Sequence, residues 1–290
     1  MSAVGATLPL DATTVARPSR LATTSPWFYV ALTLGALLWS APLVVLFFTA
    51  VKTPADFAVN GTFSWPRTFE PANFSEAWRL GIKTYFMNSL VLTVLKVPTG
   101  VFICSLAAFA IAKMRMPGAN ALFTIALLGL IVPMQMTLVP LTILYQRIGA
   151  IDSLAGLFFL YLGFGLPIGI LVLRGFFRNI PNELVEAAFI DGCSWWGVYW
   201  RIVMPLAKPA LVSLLILDSI STWNEFILAQ IFLRTESQRT LPLGVVMFSG
   251  EFSTQYNLLA AGQLMTIVPV LALYLFFQRY FVHGLGGAVK

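Results

Sequence analysis

The sequence predicts an all-α membrane protein of six transmembrane helices, with a polar helix-turn-helix between the fourth and fifth. Three observations carry that prediction. Only 10% of the residues are charged and 58% are hydrophobic, whereas soluble domains carry about 25% charged residues. The charges are bunched, leaving six long stretches with none, one or two, and each stretch supplies the roughly 20 mostly apolar residues that a spanning helix needs. Finally, a polar segment at about 176–208 interrupts the apolar pattern between two such stretches.

Taken in order, residues 21–51 carry no charge, 84–112 carry only Lys96, and 116–146 and 153–173 carry none. Residues 209–233 carry Asp218 and Glu225, and 252–278 carry none. The segment 1–26 is rich in Ala, Thr and Ser and reads as a mobile tail. Residues 27–290 then form one membrane domain without an internal repeat. Arg17 and Arg20 before an apolar run resemble a signal peptide, but the run over 28–51 exceeds the roughly 7–15 residues of an h-region, so an uncleaved first helix is expected. Pro42, Pro98, Pro133, Pro140, Pro167 and Pro269 fall inside spans. Neighbouring helices satisfy the carbonyls that such prolines free, and ordinary kinks are expected at most of them.

The formal net charge of +6 does not point to nucleic acid, because the basic residues are spread through loops and form no patch. Cys104 and Cys193 have no metal-type spacing; one lies in an apolar run and the other in the polar segment, so no disulfide is expected. His283 is the only histidine, which leaves little material for zinc or a Ser-His-Asp triad. The chain is not expected to be an enzyme.

Orientation follows the lysines and arginines of the loops. With the N-terminus inside, the inner segments hold Arg17, Arg20, Lys113, Arg115, Arg174, Arg178, Arg201, Lys208, Arg279 and Lys290. The outer loops hold Lys52, Arg67, Arg79, Lys83, Arg147, Arg234 and Arg239, nearly neutralised by Asp56, Glu70, Glu76, Asp152, Glu236 and Glu251. Both termini and the polar segment then lie in the cytoplasm. An outer loop of roughly thirty residues, with Pro54, Pro66, Pro71 and Ala77-Trp78, has the length to be ordered against a partner.

Within the polar segment, Asn179-Ile180-Pro181-Asn182 reads as a helix start, since Asn caps well and Pro suits a first turn. Leu184, Ala187, Ala188 and Asp191 recur at i, i+3, i+4, i+7, which is one helical face. Gly192 can take positive φ and end the helix. Ser194 can cap a second helix with Trp195, Tyr199, Ile202 and Val203 near one face, which Met204-Pro205 stops. An amphipathic hairpin resting in headgroups is one reading; a socket for a partner is the other, favoured by the small residues, glycine and proline.

Glu186-Ala187-Ala188, then Gly192, then Ile202-x-Met204-Pro205 resembles the EAA loop of ATP-binding-cassette importer permeases, with Met204 where the usual form has Leu. The likeness to carbohydrate permeases of the maltose and glycerol-3-phosphate type continues through Asn88-Ser89-Leu90, Val132-Pro133-Met134-Gln135 with Pro140 and Gly149, and Trp223-Asn224-Glu225-Phe226. It ends with Thr240-Leu241-Pro242-Leu243 and Gln278-Arg279-Tyr280-Phe281-Val282-x-Gly284, then Gly287-Ala288-Val289-Lys290.

The resemblance implies a permease subunit of an ATP-driven sugar importer in the cell inner membrane. It implies a second, related permease forming a heterodimer with this one, two copies of a cytoplasmic ATPase, an extracytoplasmic sugar-binding protein and surrounding lipid. The ATPase would dock on Glu186, Ala187, Ala188, Asp191, Gly192, Ile202 and Pro205. ATP and Mg would belong to the ATPase, and no cofactor to this chain, which contains no Gly-x-x-x-x-Gly-Lys-Ser/Thr loop.

Ionisable groups inside a membrane are costly and are usually functional or paired. Asp218 and Glu225, with Ser221 and Thr222 between them, read as a polar stripe on one helix face. That makes Asp218, Glu225, Trp223, Asn224 and Gln135 candidates for the translocation pathway, Trp223 and Asn224 by stacking on and bonding a sugar. Carboxylates that only lock helices together are the alternative. At about 1.5 Å per residue, Lys96 and Asp218 fall at similar depth from opposite ends of their spans, so the two are expected to meet. A rival function is an ion-coupled secondary transporter that uses Asp218 and Glu225; a third is an anchor without a pathway.

Overall fold

The computed structural model describes residues 26–250 and 254–286, with side chains to residue 278. The expected tail with Arg17 and Arg20, and the terminal motif residues 287–290, lie outside the described residues, as does the side chain of His283. The chain divides into two compact units between Val45 and Leu46. The first helix, α1 (Pro26–Ala50), is uncharged and long enough to cross a bilayer.

After α1 the expected outer loop is held by its own polar groups. The buried Lys52 donates to the carbonyl of Gly61 at 2.7 Å and to Ser64 Oγ at 2.9 Å. A short helix, α2 (Pro54–Asn60), begins with its Thr53 cap. Burial pushes the Asp56 carboxyl up, but the backbone N–H of Arg67, the Asn60 amide and the N–H of Thr68 together hold it below the usual carboxylate range. Asn73 donates to the carbonyls of Ala50 and Lys52, both at 2.9 Å, and accepts from Asn257.

The second span, α3 (Ala72–Lys113), starts in the loop, where Ala77-Trp78 is already helical. The third span is not one kinked helix. α4 (Ala119–Ile131) and α5 (Met134–Arg147) meet at 96°. Pro133 lacks an N–H and forces Val132 into extended backbone, which a helix cannot absorb. α6 (Leu154–Arg178) is the fourth span, begun by a Ser153 cap. A polar hairpin follows, α7 (Asn182–Ile190) and α8 (Trp195–Leu206).

The fifth span is also shorter than expected. α9 (Lys208–Trp223) lies at 75° to α8 and stops at Asn224; α10 (Ile227–Phe232) resumes after a break. α11 (Leu241–Val245) is short, and α12 (Tyr256–Gly286) is the sixth span. Four long helices and two bent pairs therefore give up to six crossings.

The core runs along α3 and α6, the most extensively packed pair, with α9 against both. Close approach is possible because Gly165 and Gly169 sit four apart on α6. A Cβ at Gly169 would collide with Cys104 Sγ, and one at Gly165 would lie 2.9 Å from Lys96 Nζ. Small residues at this spacing let membrane helices approach where lipid gives no hydrophobic drive.

Candidate functional site

The hairpin is built by end signals that the sequence carries. Gly192, at φ +81°, closes α7. Its N–H bonds the carbonyl of Phe189 at 3.0 Å and the next N–H, of Cys193, bonds that of Ala188 at 2.9 Å. This pair satisfies two orphan carbonyls, and the left-handed backbone favours glycine. Ser194 caps α8 by accepting from the N–H of Gly197. Two local expectations fail. Asn179 lies at the end of α6 and Pro181 precedes α7 without a side-chain cap; Asn182 instead gives its side-chain oxygen to Lys113 Nζ at 2.8 Å. Pro205 does not stop α8, which continues to Leu206 and turns at Ala207. A wide turn at Tyr199–Val203 precedes that proline, and its missing N–H is accommodated there.

The two faces of α7 differ. Val185 and Ala188 are buried with Ile180, Val198, Tyr199, Phe109 and Ala207. Ala188 therefore supports the hairpin from within and is not on the same surface as Ala187. Leu184, Ala187, Ile190 and Asp191 are exposed, Ile190 at 87%. Glu186 is exposed and pairs with Arg115 at 2.9 Å; a pair this open to solvent is worth about 0–1 kcal/mol. On α8, Val198, Tyr199 and Val203 are buried, Ile202 is half-buried and Pro205 exposed. The outward face of α7 is thus a short apolar and acidic ridge on a buried support.

The intramembrane residues are arranged otherwise. Lys96 and Asp218 meet at 2.5 Å, with Lys96 3% exposed and Asp218 14%, as the depth argument expects. Glu225 does not share a helical face with Asp218, because α9 ends before it. Its carboxylate accepts from the N–H groups of Leu228 at 2.7 Å and Ala229 at 3.2 Å, capping α10, and from the Tyr161 hydroxyl at 2.5 Å. Trp223 is buried, with its indole edge-on to Phe86 and its N–H donating to the Thr266 carbonyl at 3.0 Å. It joins α9 to α12, and beyond these contacts it lines a largely apolar cleft with Leu90, Pro98 and Pro269. Asn224 is exposed but donates back to the carbonyl of Ile220 at 2.9 Å. Gln135 is exposed in the first turn after the Pro133 break.

Lys96, Asp218, Ser221, Thr222, Glu225 and Tyr161 line a cleft of about 280 Å³, closed on other sides by apolar residues of α5, α6 and α9. Sequence reasoning passed over Tyr161, a single phenolic hydroxyl in a charge-free run, for which one sequence offers no signal. It also counted Lys113 only as a loop charge.

Four long apolar helices and two bent pairs, with an exposed polar hairpin between the fourth and fifth spans, define a multi-pass membrane protein. Residues 100–283 match the family described as binding-protein-dependent transport system inner membrane component. The chain is 32% identical over 269 residues to the multiple sugar-binding transport system permease protein MsmG of Streptococcus mutans, covering 91% of this chain and 96% of that one. It is 30% identical over 284 residues to the arabinooligosaccharides transport system permease protein AraQ of Halalkalibacterium halodurans, covering 92% and 98%. The same fold occurs in a solved bacterial ABC transporter involved in import of the acidic polysaccharide alginate, at TM-score 0.75 and 23% identity over 88% of this chain and 95% of that one. The chain belongs to the family of binding-protein-dependent transport system inner membrane components. It is a transport subunit, not an enzyme.

Proposed function

We propose that this chain is one of two permeases of an ATP-driven sugar importer, and that the exposed ridge of α7 is where a cytoplasmic ATPase grips it. One observation carries the reading: α7 buries Val185 and Ala188 in its own support and leaves Leu184, Ala187, Ile190 and Asp191 outward on a rigid turn. An interfacial hairpin resting in headgroups would place its apolar side towards lipid; here α7 packs Val185 and Ala188 against protein, while Trp196, Trp200 and Leu206 remain exposed on α8. Sugars as cargo are supported by the relatives' names, and an extracytoplasmic sugar-binding protein by a solved alginate transporter in complex with its alginate-bound periplasmic protein.

The docking set is Glu186, Ala187, Asp191, Gly192, Ile202 and Pro205, with Ala188 beneath. Two ATPase copies bind ATP and Mg, a second permease completes the pathway, and both termini lie on the ATPase side. Gln135 and the cleft holding Asp218, Ser221, Thr222 and Glu225 supply polar wall to that pathway. The ion-coupled alternative has lost its free acids, since Asp218 is tied to Lys96 and Glu225 to Tyr161 and two backbone N–H groups.

The test is reconstitution of the chain with the second permease, ATPase and binding protein from its own membrane in proteoliposomes. Uptake of labelled oligosaccharides is expected with internal ATP and absent with a proton or sodium gradient alone. Uptake driven by a gradient without ATP would overturn the reading.

A further inference from the structure

The inner third of α3 carries an unexpected stripe. Phe102, Ser105, Phe109 and Lys113 recur three or four apart, so they share one helical face, and each touches the hairpin. Lys113 Nζ, buried, donates to the carbonyl of Ile180 at 2.5 Å and to Asn182 Oδ1 at 2.8 Å, at the very start of α7. Phe109 meets the rings of Trp195 at 6.1 Å and Tyr199 at 5.3 Å, edge to face. Ser105 Oγ donates to the Phe102 carbonyl, so the Tyr199 hydroxyl is the donor to Ser105 Oγ at 2.6 Å, in a fully buried contact. Phe102 stacks on Trp200 with centroids 6.3 Å apart.

A lysine ammonium is seldom fully buried unless its hydrogen bonds are met. Here two acceptors at the entry to the hairpin meet it, so moving α7 away from α3 would break both hydrogen bonds. The contacts at Ser105 and Phe109 fix α8 in the same way. Nine residues before Ser105, Lys96 on the same helix grips Asp218 of α9.

We infer that Lys113, Ser105 and Tyr199 form a latch that makes the hairpin and α3 one rigid lever, so that a pull on α7 is delivered directly to the second span and through Lys96–Asp218 to the fifth. These are positioning residues; they touch neither solute nor ATPase. The inference rests on the proposed function for the source of the pull, but the rigid coupling itself is a property of this chain.

The experiment places nitroxide labels at two exposed positions, Leu95→Cys on α3 and Arg201→Cys on α8, in the assembled transporter with Cys104 replaced by alanine and Cys193 by serine. The inter-label distance is measured by pulsed electron resonance without nucleotide and with ATP trapped by vanadate. With the latch intact the distance is narrow and shifts by less than about 2 Å between states, while the double variant Lys113→Met/Tyr199→Phe shifts by about 5 Å or more, the scale of one element slipping a turn past another. The variant also widens the nucleotide-free distribution at least about twofold, a readout that needs no ATPase. Ser105→Ala/Tyr199→Phe, which removes two hydroxyls and little volume, gives the same direction at smaller size and covers the case in which loss of Lys113 prevents folding. ATP hydrolysis by the attached ATPase stays within about twofold, because docking is untouched. Unchanged distance and width in both variants would overturn the inference. Failure of the proposed function would show separately, as no ATPase accompanying the purified chain while the width effect persists.

Discussion

The hairpin and the intramembrane cluster are both polar interruptions in an apolar chain, yet they resolve their polarity in opposite ways. In the hairpin, backbone needs are met at Gly192 and Ser194 by local turns, and side chains such as Ala187, Ile190 and Asp191 are left outward. In the cluster, the charged atoms are consumed: Lys96 by Asp218, Glu225 by Tyr161 and the start of α10. Lipid explains the difference, because an unsatisfied group there costs several kcal/mol, whereas water forgives one at the surface. Polarity in a span therefore reports helix assembly first, and polarity in a loop leaves room for a partner.

Breaking the cluster is expected to give the largest effect. Lys96→Ala or Asp218→Ala strands a buried charge and costs about 3–5 kcal/mol, while Lys96→Met/Asp218→Leu together recovers most of that. Thermal unfolding in mild detergent measures both; a double variant no better than either single would remove the ion pair as the cause. Next is Glu225→Gln, which weakens the bonds to Leu228, Ala229 and Tyr161 and is expected to lower stability by about 1–3 kcal/mol. If it instead left the melting temperature intact, the bonds of Glu225 to Leu228, Ala229 and Tyr161 would not hold the helices together and the contrast with the hairpin would fail.

Gly192→Ala places a side chain at φ +81° and is expected to cost about 1–2 kcal/mol, with loss of ATPase attachment exceeding the loss of folded protein. The smallest effect is expected at Arg115→Ala, whose exposed pair with Glu186 contributes at most about 1 kcal/mol; a larger loss of attachment would mean that Arg115 itself meets the partner. An acid titration sharpens the loop side of the comparison. The Thr235 hydroxyl, then the N–H groups of Thr235 and Arg234, hold the Asp152 carboxyl below its usual range. The stability from this folded-state lowering is present above an unfolded value of about 3.9 and is lost as pH falls through the lower folded value. Asp152→Asn is expected to flatten that acid dependence in hydrogen exchange of residues 234–235.

Much of this was legible because end signals are local. Gly192 and Ser194 punctuate the hairpin by their own backbone chemistry, and six runs with at most two charges each mark up to six crossings. The depth match of Lys96 and Asp218 came from rise per residue alone. What was not legible depends on neighbours. Periodicity put Ala187 and Ala188 on one face, but the core decides that Ala188 turns inward while Ala187 faces out. Trp223 looked like a sugar platform until Phe86 and the Thr266 carbonyl claimed it. Glu225 seemed to extend the Asp218 stripe because a run without proline gives no hint that α9 stops at Asn224. Pro133 was visible, but not that it would turn the chain by 96°.

The central claim is that the outward ridge of α7 is held ready for an ATPase. It is tested most directly by purifying the chain from its own membranes in mild detergent, unsubstituted and with Ala187→Trp, and identifying what accompanies it. The account expects an ATPase with the unsubstituted chain and its loss from the variant, with the second permease retained in both. Equal ATPase recovery from the two chains would contradict it.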